Sequence, residues 1–218
     1  FPYTTLFRSG PTFSLVHALH SQAKLANSCK APDRRRFRLA QRSAVRDAAS
    51  PGSPHDCMKT NATRQLDQLG LAYALRDYEV DPDDLSAIKV AAQIGLPASQ
   101  VFKTLCAKAD DGAIVLAVVP GDAELDLKAL ARLAGHRRME LTPVSQLQHL
   151  TGYVRGGVTA LACKKNYPVF LDESALRHPM IAVSAGVRGT QILLAPADYA
   201  RAVNAVTGAL VRTTAPPL

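Results

Sequence analysis

The stretch Val101-Phe102-Lys103-Thr104-Leu105-Cys106-Ala107 is apolar except for one lysine and one threonine, which predicts a largely buried β-strand. Ile114 to Val119 is a second apolar run, stopped by Pro120-Gly121, and predicts the next strand. Upstream, Thr60 is placed to cap a helix through Leu66 and Leu69 that stops at Gly70, and Tyr73 to Val80 predicts a strand. Asp84 is expected to cap a helix through Ala87, Ile88, Ala91 and Ile94, closed by Gly95. Downstream, Leu127, Leu130, Ala131 and Ala134 mark a helix ended by Gly135, and Thr142-Pro143 opens another. After a glycine-rich stretch, Gly152 to Gly157, three strands are expected: Val169 to Asp172, Ile181 to Ser184 and Gln191 to Ala195. The last two are joined by a Gly186 to Gly189 turn. Pro196 opens a closing helix through Tyr199, Ala202, Val203 and Val206. Strands separated by helices early and paired directly later define an α+β domain: a mixed, curled, barrel-like sheet surrounded by helices. A doubly wound nucleotide fold does not fit this order.

The chain of 218 residues carries a formal charge of +8, but the charge is not evenly spread. Residues 1 to 57 hold nine of the 26 Lys and Arg and three of the 18 Asp and Glu, leaving seventeen basic against fifteen acidic groups beyond them. Nucleic-acid binding by that larger part must therefore rest on a local patch and not on bulk charge. Residues 1 to 57 show no period of 2 or 3.6 and recur in Pro, Ser and Arg, the pattern of a disordered or non-native leader. The opening Phe1 to Ser9 resembles translated sequencing-adapter DNA, and Met58 is the expected start. The folded domain is expected over 58 to 212, with 213 to 218 as a tail. Cys29, Cys57, Cys106 and Cys163 show no paired spacing, so neither a disulfide framework nor a zinc site is indicated, and no metal or other cofactor is expected. No run approaches the length of a membrane span, which points to a cytoplasmic protein without a membrane partner.

Lys103 is the residue that calls for an explanation. An ammonium in an apolar strand must reach water or meet an anion, because an unpaired buried charge is costly. A lysine on a solvated strand edge meets that demand without any function. Gly152-Tyr153-Val154-Arg155-Gly156-Gly157-Val158-Thr159 offers bare backbone N–H groups able to cradle a phosphate or an oxyanion, and it equally suits a plain turn. Lys164-Lys165 reads as a solvated pair or a phosphate contact. Cys163, beside those lysines, has no His or acid in a partner pattern, which argues against a thiolate nucleophile.

Taken in order, Tyr78-Glu79-Val80-Asp81-Pro82, the Lys103 strand, Leu125-Asp126-Leu127-Lys128, Thr151 to Thr159, Lys164-Lys165 and Val183-Ser184-Ala185-Gly186-Val187-Arg188-Gly189 resemble the YbaK/EbsC family. The resemblance covers nearly all of 58 to 210. It implies a small single-domain enzyme that hydrolyses mischarged tRNA, chiefly Cys-tRNA(Pro), with relatives that clear Ala from tRNA(Pro). It also implies that Lys103 is essential with Thr104 beside it, and that Tyr78 lies near the aminoacyl end. Gly156, Gly157 and Thr159 would lie beneath the ester, and Asp172 in the pocket wall. The implied partners are charged tRNA, held at its 3′ aminoacyl end, and prolyl-tRNA synthetase. The family loop runs Gly-Gly-hydrophobic-Ser-Pro-x-Gly, whereas here Thr159, Ala160 and Ala162 stand at the Ser, Pro and final Gly positions. An alanine at Ala162 does not easily adopt positive φ, so the loop's shape is expected to differ. With no side chain in a general-base pattern, the resemblance implies that a cysteinyl thiol attacks its own ester while Lys103 polarises the carbonyl. The rival reading is a noncatalytic module that binds the tRNA acceptor or a synthetase.

Overall fold

The computed structural model describes residues 59 to 212. The expectations for the leader, Met58 and the 213 to 218 tail fall outside the described residues. Eight strands form one mixed sheet: β1 Tyr73–Asp77, β2 Val101–Ala109, β3 Ile114–Pro120, β4 Met139–Leu141, β5 Val169–Asp172, β6 Ile181–Ser184, β7 Thr190–Leu194 and β8 Val206–Gly208. Five α-helices pack on it: α1 Asn61–Gln68, α2 Ala87–Ile94, α3 Leu127–Ala134, α4 Val144–Thr151 and α5 Pro196–Ala202. The strand order is β1-β7-β6-β2-β3-β5-β8, with β4 pairing β2 off this path. The sheet therefore stays open between β1 and β8, and the barrel-like curl stops short of closure.

The nine-residue β2 organises the sheet. Along one edge it runs antiparallel to β3, with Lys103 opposite Val119. Along the other edge its first residues pair in parallel with β6, and Ala107 to Ala109 pair with β4. Parallel β3–β5 and β5–β8 pairs alongside antiparallel β1–β7 and β6–β7 pairs make the sheet mixed.

Side chains alternate across β2, so its two faces meet different partners. Phe102 and Cys106 belong to a core that includes Leu116, Leu171, Val183, Ile192, Leu66 of α1 and Tyr199 of α5. On the opposite face Val101 packs with Val90, Ala91 and Ile94 of α2, while Ala107 packs with Leu130 and Ala131 of α3. Lys103 occupies this second face between the two clusters and is itself half-buried.

Most elements begin where the chain supplies a cap. Thr60 accepts from the Thr63 N–H at 3.2 Å, and Asp126 accepts from the N–H groups of Lys128 and Ala129 at 2.8 and 3.2 Å. Gly95 and Gly135 close α2 and α3 with φ of 69° and 76°. Several boundaries differ from expectation, β1 among them, which ends at Asp77 and not Val80. Ser86 and not Asp84 caps α2, because the Asp84 carboxylate already closes a turn onto the Ser86 N–H at 2.9 Å. Thr142 does not cap α4; it is buried, with its hydroxyl donating to Cys106 Sγ at 3.5 Å. Val206 leaves the last helix for β8, paired with Phe170.

Candidate active site

Lys103 Nζ donates to the Gly121 carbonyl at 3.0 Å and is half-buried. Burial pushes its pKa below the usual lysine value, while the Asp122 and Glu124 carboxylates push the other way. The Gly121 carbonyl lies this close because the chain turns tightly there: a Cβ on Gly121 would sit 2.8 Å from Ala87 Cβ, at the start of α2. A side chain at 121 would force Ala87 or the 98 to 101 backbone to shift.

From Ala87 the surroundings can be followed back to Lys103. Leu85, just before α2, packs on Gly156, whose φ is 86° and whose added Cβ would lie 3.3 Å from Leu85 Cδ1 and 3.4 Å from Arg188 Nε. Arg188 Nε donates to the Arg155 carbonyl at 2.9 Å, tying the glycine-rich loop to the 185 to 189 turn. That turn leaves β6 at Ser184, and continuing the β2–β6 register brings Ser184 level with Lys103. Tyr78 joins through its N–H, which donates to the Gly189 carbonyl at 2.8 Å. Tyr78, Leu85, Lys89, Val90 and Gly156 line a narrow cleft beside this ring of contacts.

The site residues expected from sequence thus separate into two groups. Lys103, Tyr78, Gly156 and Gly157 converge on one end of the sheet. Thr104 belongs to the same strand, but alternation turns its side chain onto the opposite face. There its hydroxyl lies near the wholly buried Tyr199 hydroxyl without reaching hydrogen-bonding geometry. Thr159 is fully buried, with Oγ1 accepting from the Leu161 N–H at 3.4 Å. Asp172 is buried as a fold clamp: its carboxylate accepts from the Ser174 N–H and hydroxyl and from the Leu210 N–H at 2.8 Å. It shares Lys103's face of the sheet but is committed to backbone and serine donors.

Three residues in the Lys103 row went unassigned in the sequence reading. Arg76, Gln191 and Ser184 stand side by side across β1, β7 and β6, and the row continues to Lys103. Gln191 is 5% exposed, and its Oε1 has no hydrogen-bond partner among the described residues. A buried orphan acceptor two strands from a half-buried amine, in the same row, offers complementary groups to a polar ligand. The signal for this row was a serine and a glutamine standing in otherwise apolar strands.

The other candidates resolve differently. Burial pushes the Cys163 thiol up to about 11, the reverse of an activated nucleophile. Asp110, Asp111 and His136 form a metal-capable group at the β2–β3 turn, roughly 20 Å along β2 from Lys103 at about 3.3 Å per residue.

Lys103 thus stands on an open mixed sheet, with the Gly156-Gly157 loop and the 185 to 189 turn at the same end. The chain belongs to the aminoacyl-tRNA editing domain family, whose model matches residues 81–202. It is 41% identical over 138 residues to EbsC of Enterococcus faecalis, provisionally named a Cys-tRNA(Pro)/Cys-tRNA(Cys) deacylase, covering 63% of this chain and 84% of that one. It is 28% identical over 120 residues to the uncharacterized YwhH of Bacillus subtilis, covering 55% and 76%. Among solved structures, one described as a trans-editing enzyme for prolyl tRNA synthetase superposes with a TM-score of 0.60 at 24% identity, covering 74% of this chain and 99% of that one. The hypothetical protein APE2540 gives 0.64, also at 24% identity, covering 70% and 99%. These structural likenesses establish the fold.

Proposed function

We propose that the protein is a trans-editing hydrolase that removes the wrong amino acid from charged tRNA, with Cys-tRNA(Pro) as its substrate. The observation that carries this reading is the placement of Lys103, half-buried between the clusters packed under α2 and α3, with its amine donating to the Gly121 backbone carbonyl. The name of the 41% identical EbsC supports the choice of aminoacyl group.

In this reading the ester carbonyl of the aminoacyl end displaces the Gly121 carbonyl from Lys103 Nζ. The N–H groups of the Gly156-Gly157 loop supply further donors to the developing oxyanion. The substrate's own thiol is the nucleophile: its sulfur bonds to the carbonyl carbon, the bond from that carbon to the ribose oxygen breaks, and the thiol proton passes to that oxygen. A cysteine thiolactone and free tRNA result. Lys103 polarises and positions, and Gln191 and Ser184 face the same space. We place the protein in the cytoplasm beside prolyl-tRNA synthetase, in keeping with a solved relative described as a trans-editing enzyme for that synthetase. Among the described residues no helix is long and apolar enough to cross a membrane.

A panel of Cys-, Ala-, Ser- and Thr-charged tRNA separates the readings. Release of cysteine, with thiolactone trapped before it hydrolyses, is expected from Cys-tRNA(Pro). Equal or faster release of alanine would transfer the assignment to Ala-tRNA(Pro), where water must attack. Release from none of them would establish the noncatalytic reading.

A further inference from the structure

The mouth of the Lys103 site is poorly suited to gripping a polyanion. Arg155 and Arg188 stand there, but Glu79, Asp81 and Asp84 lie around the neighbouring cleft, and Asp122 and Glu124 flank Lys103. With the larger part of the chain nearly neutral, a grip on RNA must come from a patch elsewhere.

Such a patch lies on the other face of the sheet. A groove of about 900 Å³ runs between α1 and the segment following the glycine-rich loop. Asn61, Arg64 and Gln68 line it from one side of α1, Lys165 and Asn166 line the opposite wall, and Asn204 closes one end. No carboxylate is among its lining residues. The one acid of α1, Asp67, is held off to the flank, where it accepts from Lys59 Nζ at 3.3 Å and from the Tyr73 hydroxyl at 3.0 Å. Lys165 forms no ion pair among the described residues, and Arg64 meets only the Asn61 amide, at 3.4 Å. The walls are fixed relative to each other: Gln65 donates to the Ala202 carbonyl at 3.0 Å and accepts from the Ala162 N–H, clasping α1, α5 and the loop together.

We propose that this groove binds the ribose-phosphate backbone of the tRNA, away from its aminoacyl end. Two unpaired cations suit phosphates, and a wall of side-chain amides suits 2′-hydroxyls, which both donate and accept. The proposal rests on the reading of charged tRNA as substrate. The groove floor at Leu116 is three residues along β3 from Val119, Lys103's partner, or about 10 Å, and on the opposite face. Because the groove and Lys103 lie on opposite faces, the proposal assigns the groove to the tRNA body and the Lys103 face to the aminoacyl end.

The test compares the full chain with Arg64→Glu/Lys165→Glu and with the charge-preserving Arg64→Lys/Lys165→Arg. Binding of uncharged tRNA(Pro) is followed by fluorescence anisotropy between about 50 and 200 mM salt. The reversed pair is expected to raise Kd at least about tenfold and to lower the salt slope by about 1.5 to 2, while the preserved pair stays near the parent. In deacylation, the reversed pair is expected to raise KM for charged tRNA and leave hydrolysis of a charged 3′-terminal trinucleotide unchanged. Lys165→Gln, at an exposed position, repeats the test with a smaller change should the double reversal disturb folding, read by circular dichroism. Parent-like Kd and salt slope in folded variants would overturn the groove, as would absence of tRNA binding by the parent. A chain that binds through the groove but releases no amino acid would overturn the hydrolase reading and leave the groove standing.

Discussion

Single residues show both how far sequence reading reaches and where it fails. Lys103 was legible because a charge in an apolar strand is conspicuous whatever the fold. Thr104, one residue on, shares its strand but not its face, a consequence of the two-residue period that adjacency in sequence hides. Asp172 looked available as an acid in a strand, yet three donors surround its carboxylate, two of them backbone N–H groups that no sequence pattern reveals. Ala162 goes the other way. It adopts a φ of 48°, although alanine there was expected to resist such a conformation. The Tyr153 hydroxyl, near the carbonyls of Leu161 and Ala162, and the Gln65 amide hold the loop in that shape. A left-handed alanine costs roughly 1 kcal/mol. Ala162→Gly is therefore expected to stabilise the domain by up to about 1 kcal/mol, some 2 to 4 °C in melting temperature at this size. A lower melting temperature would show that the loop is not strained.

At the scale of elements, helices with strong punctuation were read closely. The α3 helix shows this: its apolar residues and the Gly135 stop were read, Leu130 and Ala131 are buried, and the Asp126 cap that opens it was not read. The three-residue strands β4 and β8 were missed because neither has a pattern of its own; β2 and β5 impose the extended form through the ladder. The Asp126 cap makes the α3 account measurable. Its N–H partners, Ala129 first, hold the carboxyl below its ordinary pKa. A depressed carboxylate stabilises the fold above its unfolded value, about 3.9, and that contribution is lost as pH falls through the folded value. Asp126→Ala is expected to cost about 1 kcal/mol in neutral denaturant melts, with the difference from the parent shrinking below about pH 4. A pH-independent difference would assign the loss to packing instead.

At the scale of the whole molecule, the mixed sheet with outer helices was legible from the order of segments, but the neighbours of each strand were not. Nothing local in Ile181 to Ser184 says that it lies between β7 and β2, and that non-local pairing sets Ser184 beside Lys103 and Gln191 one strand further along the row. Nor could sequence show that Lys103 falls between the clusters packed under α2 and α3, the placement on which the proposed site rests. The same distribution of helices puts the amide-lined groove and the lysine on opposite faces, separating hold from chemistry. The account stands or falls on the lysine. Rates of cysteine release from Cys-tRNA(Pro) by the parent and by Lys103→Ala, at equal folded concentration, test it most directly. A loss of about 10²-fold or more in the variant, as expected when an essential oxyanion donor is removed, is the predicted result. Release at the parent's rate would contradict it.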